Sequence, residues 1–154
     1  MARVSGEASR EIAAPLQTCW DLLVDAAAYP DWYGTLDEVV VEETDDRGRP
    51  RTIHVRSDVD PVGSIRFRLE LAYDDQTRIN ATQTGRGELA KDVATEWVLE
   101  PVEPRRTRAS YRVSIASDGL KAAAAFRGAE GLVRRHLIDG FVEALKARAE
   151  RPDP

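Results

Sequence analysis

Few side chains in this 154-residue chain have the type and spacing that chemistry demands. His54, Arg56 and Asp58 fall at every second position, so on a strand they would be neighbours, a grouping from which a proton relay could be built. The intervening Ile53, Val55 and Val59 claim the buried face, however, and turn the polar trio into a solvated charge row. Glu96 and Glu100 could be invoked as acids, yet they alternate with Trp97 and Leu99 and should point outward. His136 stands two residues from Arg134 on the flank of a helical stripe. With the two histidines far apart no zinc-type spacing exists, and the only cysteine, Cys19, excludes an internal disulfide. Cys19 sits in an apolar helical stretch and reads as a small buried hydrophobe. No Ser-His-Asp arrangement, phosphate-cradling glycine loop or metal motif is present, and no cofactor is expected. What remains is a set of large apolar and aromatic side chains, Trp32, Tyr33, Phe67, Leu69, Trp97, Tyr111 and Phe126, whose chemistry is contact with a greasy guest.

The composition narrows the setting. Hydrophobic residues make up 42% and charged residues 32%, the balance of a soluble globular chain rather than a disordered or membrane one. No run approaches the ~18 apolar residues of a spanning helix, and MARVSGEASREIAAP lacks the apolar core of a signal peptide, so a cytoplasmic protein without stable membrane insertion is expected. A net charge of −5 repels phosphate backbones, and nucleic acid is not an expected partner. The short runs Arg105, Arg106, Arg108 and Arg134, Arg135 read as solvated turn or helix faces. A homodimer is left open.

The elements that would carry these side chains follow from hydrophobic period. Val4 to Ile12 alternates weakly, a first strand, and Pro15 then stands where its missing N–H costs a helix nothing. Leu16, Trp20 and Leu23 recur at helical spacing through about Val24. The PDWYG segment has the residues of a one-turn helix or loop and puts Trp32 and Tyr33 on a connection. From Gly34 the period becomes 2 for about eighty residues. It gives strands at Val39–Glu43, around Ile53, Val55 and Val59, at Ile65, Phe67, Leu69, Leu71 and Tyr73, and at Arg78–Gln83, Val93–Leu99 and Thr107–Ala116. Connections of a few residues demand antiparallel neighbours. From Gly119 to Arg151 the helical period returns, with Val133, Leu137, Phe141, Ala144 and Arg148 on the stripe and Gly140 and Leu145 beside it. The tail RPDP at 151–154 stops it.

Strands with one dry face and a long helix with one dry stripe bury each other, so the expected fold is α+β. A curved antiparallel sheet of six or seven strands would wrap the C-terminal helix, with short helices after the first strand and one domain over residues 1–150. The first half of that helix, LKAAAAFRGAEG, is small-residued apart from Leu120 and Phe126, and Gly128 and Gly131 each cost about 1 kcal/mol of helix propensity relative to Ala. Facing Phe67, Leu69, Trp97 and Tyr111, such a wall either interdigitates into solid core or leaves a void. Trp32 and Tyr33 are either a lid stapled over the sheet edge or the rim of a pocket mouth.

The opening strand, IAAPLQTCWDLLVDAAAYPDW, VVVEETDDRGRP, the WVLEP strand end at Trp97 to Pro101 and a terminal helix ending VEALKARAE together resemble the polyketide cyclase/dehydrase branch of the START-like, helix-grip superfamily that includes the birch-pollen allergen fold. Its most specific part is met by Ala14-Pro15, Trp20, Leu22-Leu23, Asp25, Tyr29-Pro30 and Trp32. The resemblance implies a cavity between sheet and helix for a small hydrophobic ligand such as a lipid, polyketide or quinone. It leaves three functions open. One is a carrier or sensor, with Trp32, Tyr33, Tyr111 and Phe126 shaping entrance and walls. Another is a cyclase/dehydrase in which Tyr33 or Tyr111, buried beside a cation, donates a proton. The third is a protein-interaction module akin to quinone-binding and ribosome-associated members.

Overall fold

The computed structural model describes residues 2–59, 63–84, 92–117, 131 and 133–151. Strand β1 (Ala2–Ile12) runs into helix α1 (Leu16–Val24) through Pro15, which is extended at φ −63° and ψ 154° and precedes the first turn without wasting a donor. Cys19, Trp20 and Leu23 give α1 its buried face. A 3-10 turn (Ala26–Ala28) leads to the four-residue helix α2 (Tyr29–Trp32), with Pro30 in its opening turn.

Six further strands complete the sheet: β2 (Glu38–Thr44), β3 (Pro50–Val59), β4 (Gly63–Asp74), β5 (Arg78–Gln83), β6 (Asp92–Glu103) and β7 (Arg106–Ser117). They form one antiparallel sheet in the order β1-β7-β6-β5-β4-β3-β2, so every junction but β1 with β7 joins strands consecutive in the chain. The β2–β3 turn is built by its own residues. Gly48 adopts φ +79°, and the Asp45 carboxylate accepts from the backbone N–H groups of Arg47 and Arg49, each at 2.9 Å. Several strands outrun the hydrophobic alternation that signals them. The segment read as a strand end at Pro101 continues to Glu103, and β7 begins at Arg106, one residue before the expected Thr107, with Arg108 reaching Glu11 at 3.2 Å.

Alternation decides the two faces. Ile53, Val55, Leu71, Ile79, Ala81, Val93, Trp97, Leu99, Ala109, Tyr111, Val113 and Ile115 are buried on the inner one. The outer face carries exposed ion pairs such as Arg112–Glu7 and Arg68–Glu42. The row of His54, Arg56 and Asp58 lies on this side, with Arg56 on Asp58 at 2.9 Å.

The terminal helix departs from the expected form. Residues Val133–Asp139 are π-helical and Gly140–Ala149, here α3, is α-helical; residues 118–130, including Leu120, Phe126 and Gly128, lie outside the described residues. Of the expected stripe Leu137, Phe141, Ala144 and Arg148, only Phe141 is fully buried; Leu137 and Ala144 are partly buried against the core, and Ile138, Val142, Leu145 and Ala149 join Phe141 in it. The expected phase assumed one uninterrupted period of 3.6, whereas a π segment closes its hydrogen bonds five residues back and rotates the turns beyond it. α3 packs on β1, β7, α1 and α2. Its far end is tied down by Lys146, whose Nζ donates to Glu11 O at 3.0 Å, and by Glu150, which accepts from Ala13 N at 2.8 Å.

Gly140 marks the join. A Cβ built there would lie 3.0 Å from the Arg135 carbonyl oxygen, the backbone of the π turn, and 3.8 Å from Tyr33 Cε1. In an ordinary helix Gly→Ala gains about 1 kcal/mol. Here the close backbone reverses the sign, and Gly140→Ala is expected to lower stability by about 1–2 kcal/mol in urea denaturation. A stabilised variant would mean that the π turn is not held against this position.

Candidate functional site

The inner sheet face and α3 do not fill the space between them. A cavity of about 90 Å³ remains, walled by β3 through β7, by Tyr29, Tyr33 and Leu36 from the α1–β2 connection, and by Leu137 and Phe141 from the terminal helix. Register orders the wall. Trp97 stands opposite Tyr111 and Ile79 at one end, Thr95 opposite Val113 and Ala81 in the middle, and Val93 opposite Ile115 at the other end. β3 and β4 add the pairs Val55–Phe67 and Ile53–Leu69.

One end is aromatic. Phe141 is stacked on Tyr33 with ring centroids 4.4 Å apart and 8° between planes. It meets Trp97, Tyr111 and Tyr29 edge-on at 5.0, 5.1 and 5.3 Å, and Trp32 at 5.6 Å. Trp97 and Tyr111, a cross-strand pair, stack at 4.4 Å. Phe141 therefore occupies the centre of a ring box, and the empty volume begins where its edge stops.

Of the side chains singled out in the sequence, Tyr33, Phe67, Leu69, Trp97 and Tyr111 line the cavity, with Phe67 and Leu69 only partly buried. Trp32 is not among the described lining residues. It lies behind Tyr29 and Phe141, its Nε1 sealed from solvent and without a hydrogen-bond acceptor. The expected contribution of Phe126 falls outside the described residues. Sequence reasoning missed Tyr29, Thr95 and Phe141. Thr95 shares the parity of Val93 and Trp97, which would have placed it inside, and Phe141 lay on the predicted stripe; Tyr29 was noted only as part of the Tyr29-Pro30 pair of the family resemblance, not as a wall residue.

The wall is close to electrically silent. Among the described residues no Lys, Arg, His, Asp or Glu lines it. The Tyr29 hydroxyl donates to Leu23 O, and Ser57, buried on the inward row of β3, donates through Oγ to Thr35 O at 2.6 Å. Desolvation pushes the phenols of Tyr29, Tyr33 and Tyr111 well above the ordinary value of 10 and that of Tyr73 up to about 12, so all are neutral hydroxyls at physiological pH. The Cys19 thiol, on the buried face of α1, is likewise pushed up to about 11 by burial and is a poor nucleophile. No group of three or more His, Cys, Asp or Glu that could hold a metal exists among the described residues.

These phenols set an alkaline limit. A tyrosine whose folded pKa exceeds its unfolded one leaves stability intact below about pH 10 and removes it as pH rises through the folded value, because only the unfolded chain ionises easily. The four tyrosines of the chain are expected to show no tyrosinate absorbance at pH 10 while the fold persists, and to ionise together with unfolding at higher pH. Reversible titration of two or more near pH 10 in the folded protein would contradict the burial described.

A seven-stranded antiparallel sheet closed over a C-terminal helix, with an apolar space between them, is the START-like helix-grip architecture. Its solved likenesses include a START superfamily protein from Mycobacterium smegmatis, 18% identical with TM-score 0.79, covering 96% of this chain and 97% of that one. The Zhui aromatase/cyclase from a Streptomyces species is 17% identical with TM-score 0.83 over 97% and 95% of the two chains. A conserved protein from Geobacillus kaustophilus is 17% identical with TM-score 0.73 over 95% of each. At such identities the likeness is one of fold. The chain belongs to the family described as polyketide cyclase / dehydrase and lipid transport, whose model matches residues 3–150. No protein of curated function matches it.

Proposed function

We propose that this protein binds a compact hydrophobic molecule in the cavity between sheet and terminal helix and acts as its carrier or sensor. The observation that carries the reading is the cavity itself, an unfilled 90 Å³ among Leu71, Ala81, Val113, Tyr111 and Phe141 in an interior that close packing would otherwise close. Filling it removes the apolar surface of a guest from water at about 25 cal/mol for each Å². Its size is well under the ~300–1,000 Å³ of drug-sized pockets, which favours a small guest over an extended lipid. Membership of a family whose description names both cyclisation and lipid transport supports the ligand class.

Carriage is the better-supported of the two activities in that description. Proton transfer to a carbonyl is helped by an acid whose pKa lies near the working pH, and a cation beside the phenol would bring it there. The wall phenols are instead driven upward by desolvation, with no cation among the described lining residues. No helix of the described residues is long and apolar enough to cross a membrane.

Native mass spectrometry of the protein as expressed tests the proposal. A co-purified mass that organic extraction removes and that a panel of small neutral hydrophobes restores is the expected result. Strictly ligand-free protein whose melting temperature no member of the panel raises would overturn it.

A further inference from the structure

One polar group at the ring box is left unused. The Trp32 indole Nε1 is sealed from solvent and has no hydrogen-bond acceptor, although the side chain as a whole is only half-buried. Buried donors in native interiors are almost always paired, so an orphan marks a conformation that regains a partner by opening to water. The surroundings decide which part can move. Tyr29 is pinned through its hydroxyl to Leu23 O, its own carbonyl accepts from Tyr33 N at 2.8 Å, and the Tyr33 ring is stacked on Phe141 at 4.4 Å. Trp32 stands between these two anchored residues. Its indole makes no hydrogen bond and meets Tyr29 edge-on at 5.4 Å and Phe141 at 5.6 Å with 33° between planes.

Rotation of the indole away from Phe141 leaves the α2 backbone in place, gives Nε1 water to bind, and uncovers the flank of the ring that closes the aromatic end of the cavity. We infer that Trp32 is a side-chain gate. Closed, it backs Phe141 and seals the ring box; open, it lets Phe141 tilt and admits a benzene-sized, uncharged hydrophobe between α2 and α3, which pack on each other there. The orphan donor keeps the two states close in free energy, because part of what closing gains in ring contact is lost in the desolvated N–H. Trp32 is not among the described residues lining the cavity, so the gate sets how fast a guest exchanges and leaves how tightly it is held to the wall. The inference rests on the ligand-binding reading and adds the route by which the guest arrives.

The test follows fluorobenzene exchange by fluorine NMR in the wild-type protein, Trp32→Phe and Trp32→Ala. Trp32→Phe keeps a ring against Phe141 but removes the unpaired N–H, so closing strands no donor and exchange is expected to slow about fivefold. Trp32→Ala removes the gate, and exchange should quicken by about tenfold or more. Both should leave Kd within about twofold, since a gate changes association and dissociation together. Exchange in Trp32→Phe as fast as in the wild-type protein would overturn the gate while leaving the binding reading intact. A second measurement needs neither guest nor variant. Nitrogen relaxation dispersion on the three indole signals is expected to show microsecond-to-millisecond exchange at Trp32 and none at the buried Trp20 and Trp97; a flat profile at Trp32 would also overturn the gate. Failure of fluorobenzene to bind the wild-type protein would overturn the binding reading, and the gate as its entrance with it.

Discussion

Phe141→Ala is expected to cost about 3–5 kcal/mol of folding stability, the largest loss from any single truncation in this molecule. The ring touches Tyr29, Trp32, Tyr33, Trp97 and Tyr111 within 5.6 Å, so its removal strips contacts from five partners held by four different elements or connections. None can collapse easily into the gap, because Trp97 and Tyr111 are fixed in the sheet and Tyr29 is pinned by its hydroxyl to Leu23. The loss should therefore sit at the upper end of the range for Phe→Ala. The gap would join the existing cavity, since Phe141 already lines it. The variant should bind benzene-sized guests more tightly than the wild-type protein even as urea unfolds it earlier. A loss below about 1.5 kcal/mol would show that the ring box is not packed as described.

Ala81→Phe makes the opposite change. Ala81 is buried, central on β5, flanked by Leu71 and Thr95 across the strands, and its methyl group faces the void. A ring at this position fills space now empty, so the usual overpacking cost of about 1–3 kcal/mol is offset in part by new apolar burial. Stability is expected to change by less than about 1.5 kcal/mol, while affinity for a compact hydrophobe falls more than about 100-fold because the guest has nowhere to sit. Ligand affinity retained within about threefold would place binding elsewhere and sink the proposed site.

The sheet was legible in the sequence because strand alternation is a two-state code. Ile53, Val55, Phe67, Leu69 and Tyr111 each sit between polar neighbours, and the inner face is the set they define together with Leu71 and Trp97 at the same spacing. Ala14-Pro15 likewise marked the entry to α1. The terminal helix was legible as a helix but not in phase. Nothing in VRRHLID announces hydrogen bonds spaced five residues apart, and the wider turn shifted full burial to Ile138, Val142 and Leu145, leaving Leu137 and Ala144 partly buried. The site was legible in its sheet half. Tyr29 was hidden because its burial depends on how a short connection folds back, and Trp32, conspicuous by type, stands one layer behind the wall. Thr95 was visible by parity with Val93 and Trp97.

Xenon-pressurised crystals would test the central claim most directly, because xenon enters apolar space that protein leaves empty and ignores polar surface depressions. A single strong xenon peak bounded by Leu71, Ala81, Val113 and Tyr111 in the wild-type protein, absent in Ala81→Phe, is the predicted result. A wild-type interior that takes up no xenon would mean that sheet and helix close on each other completely, and the proposed binding function would have no place to occur.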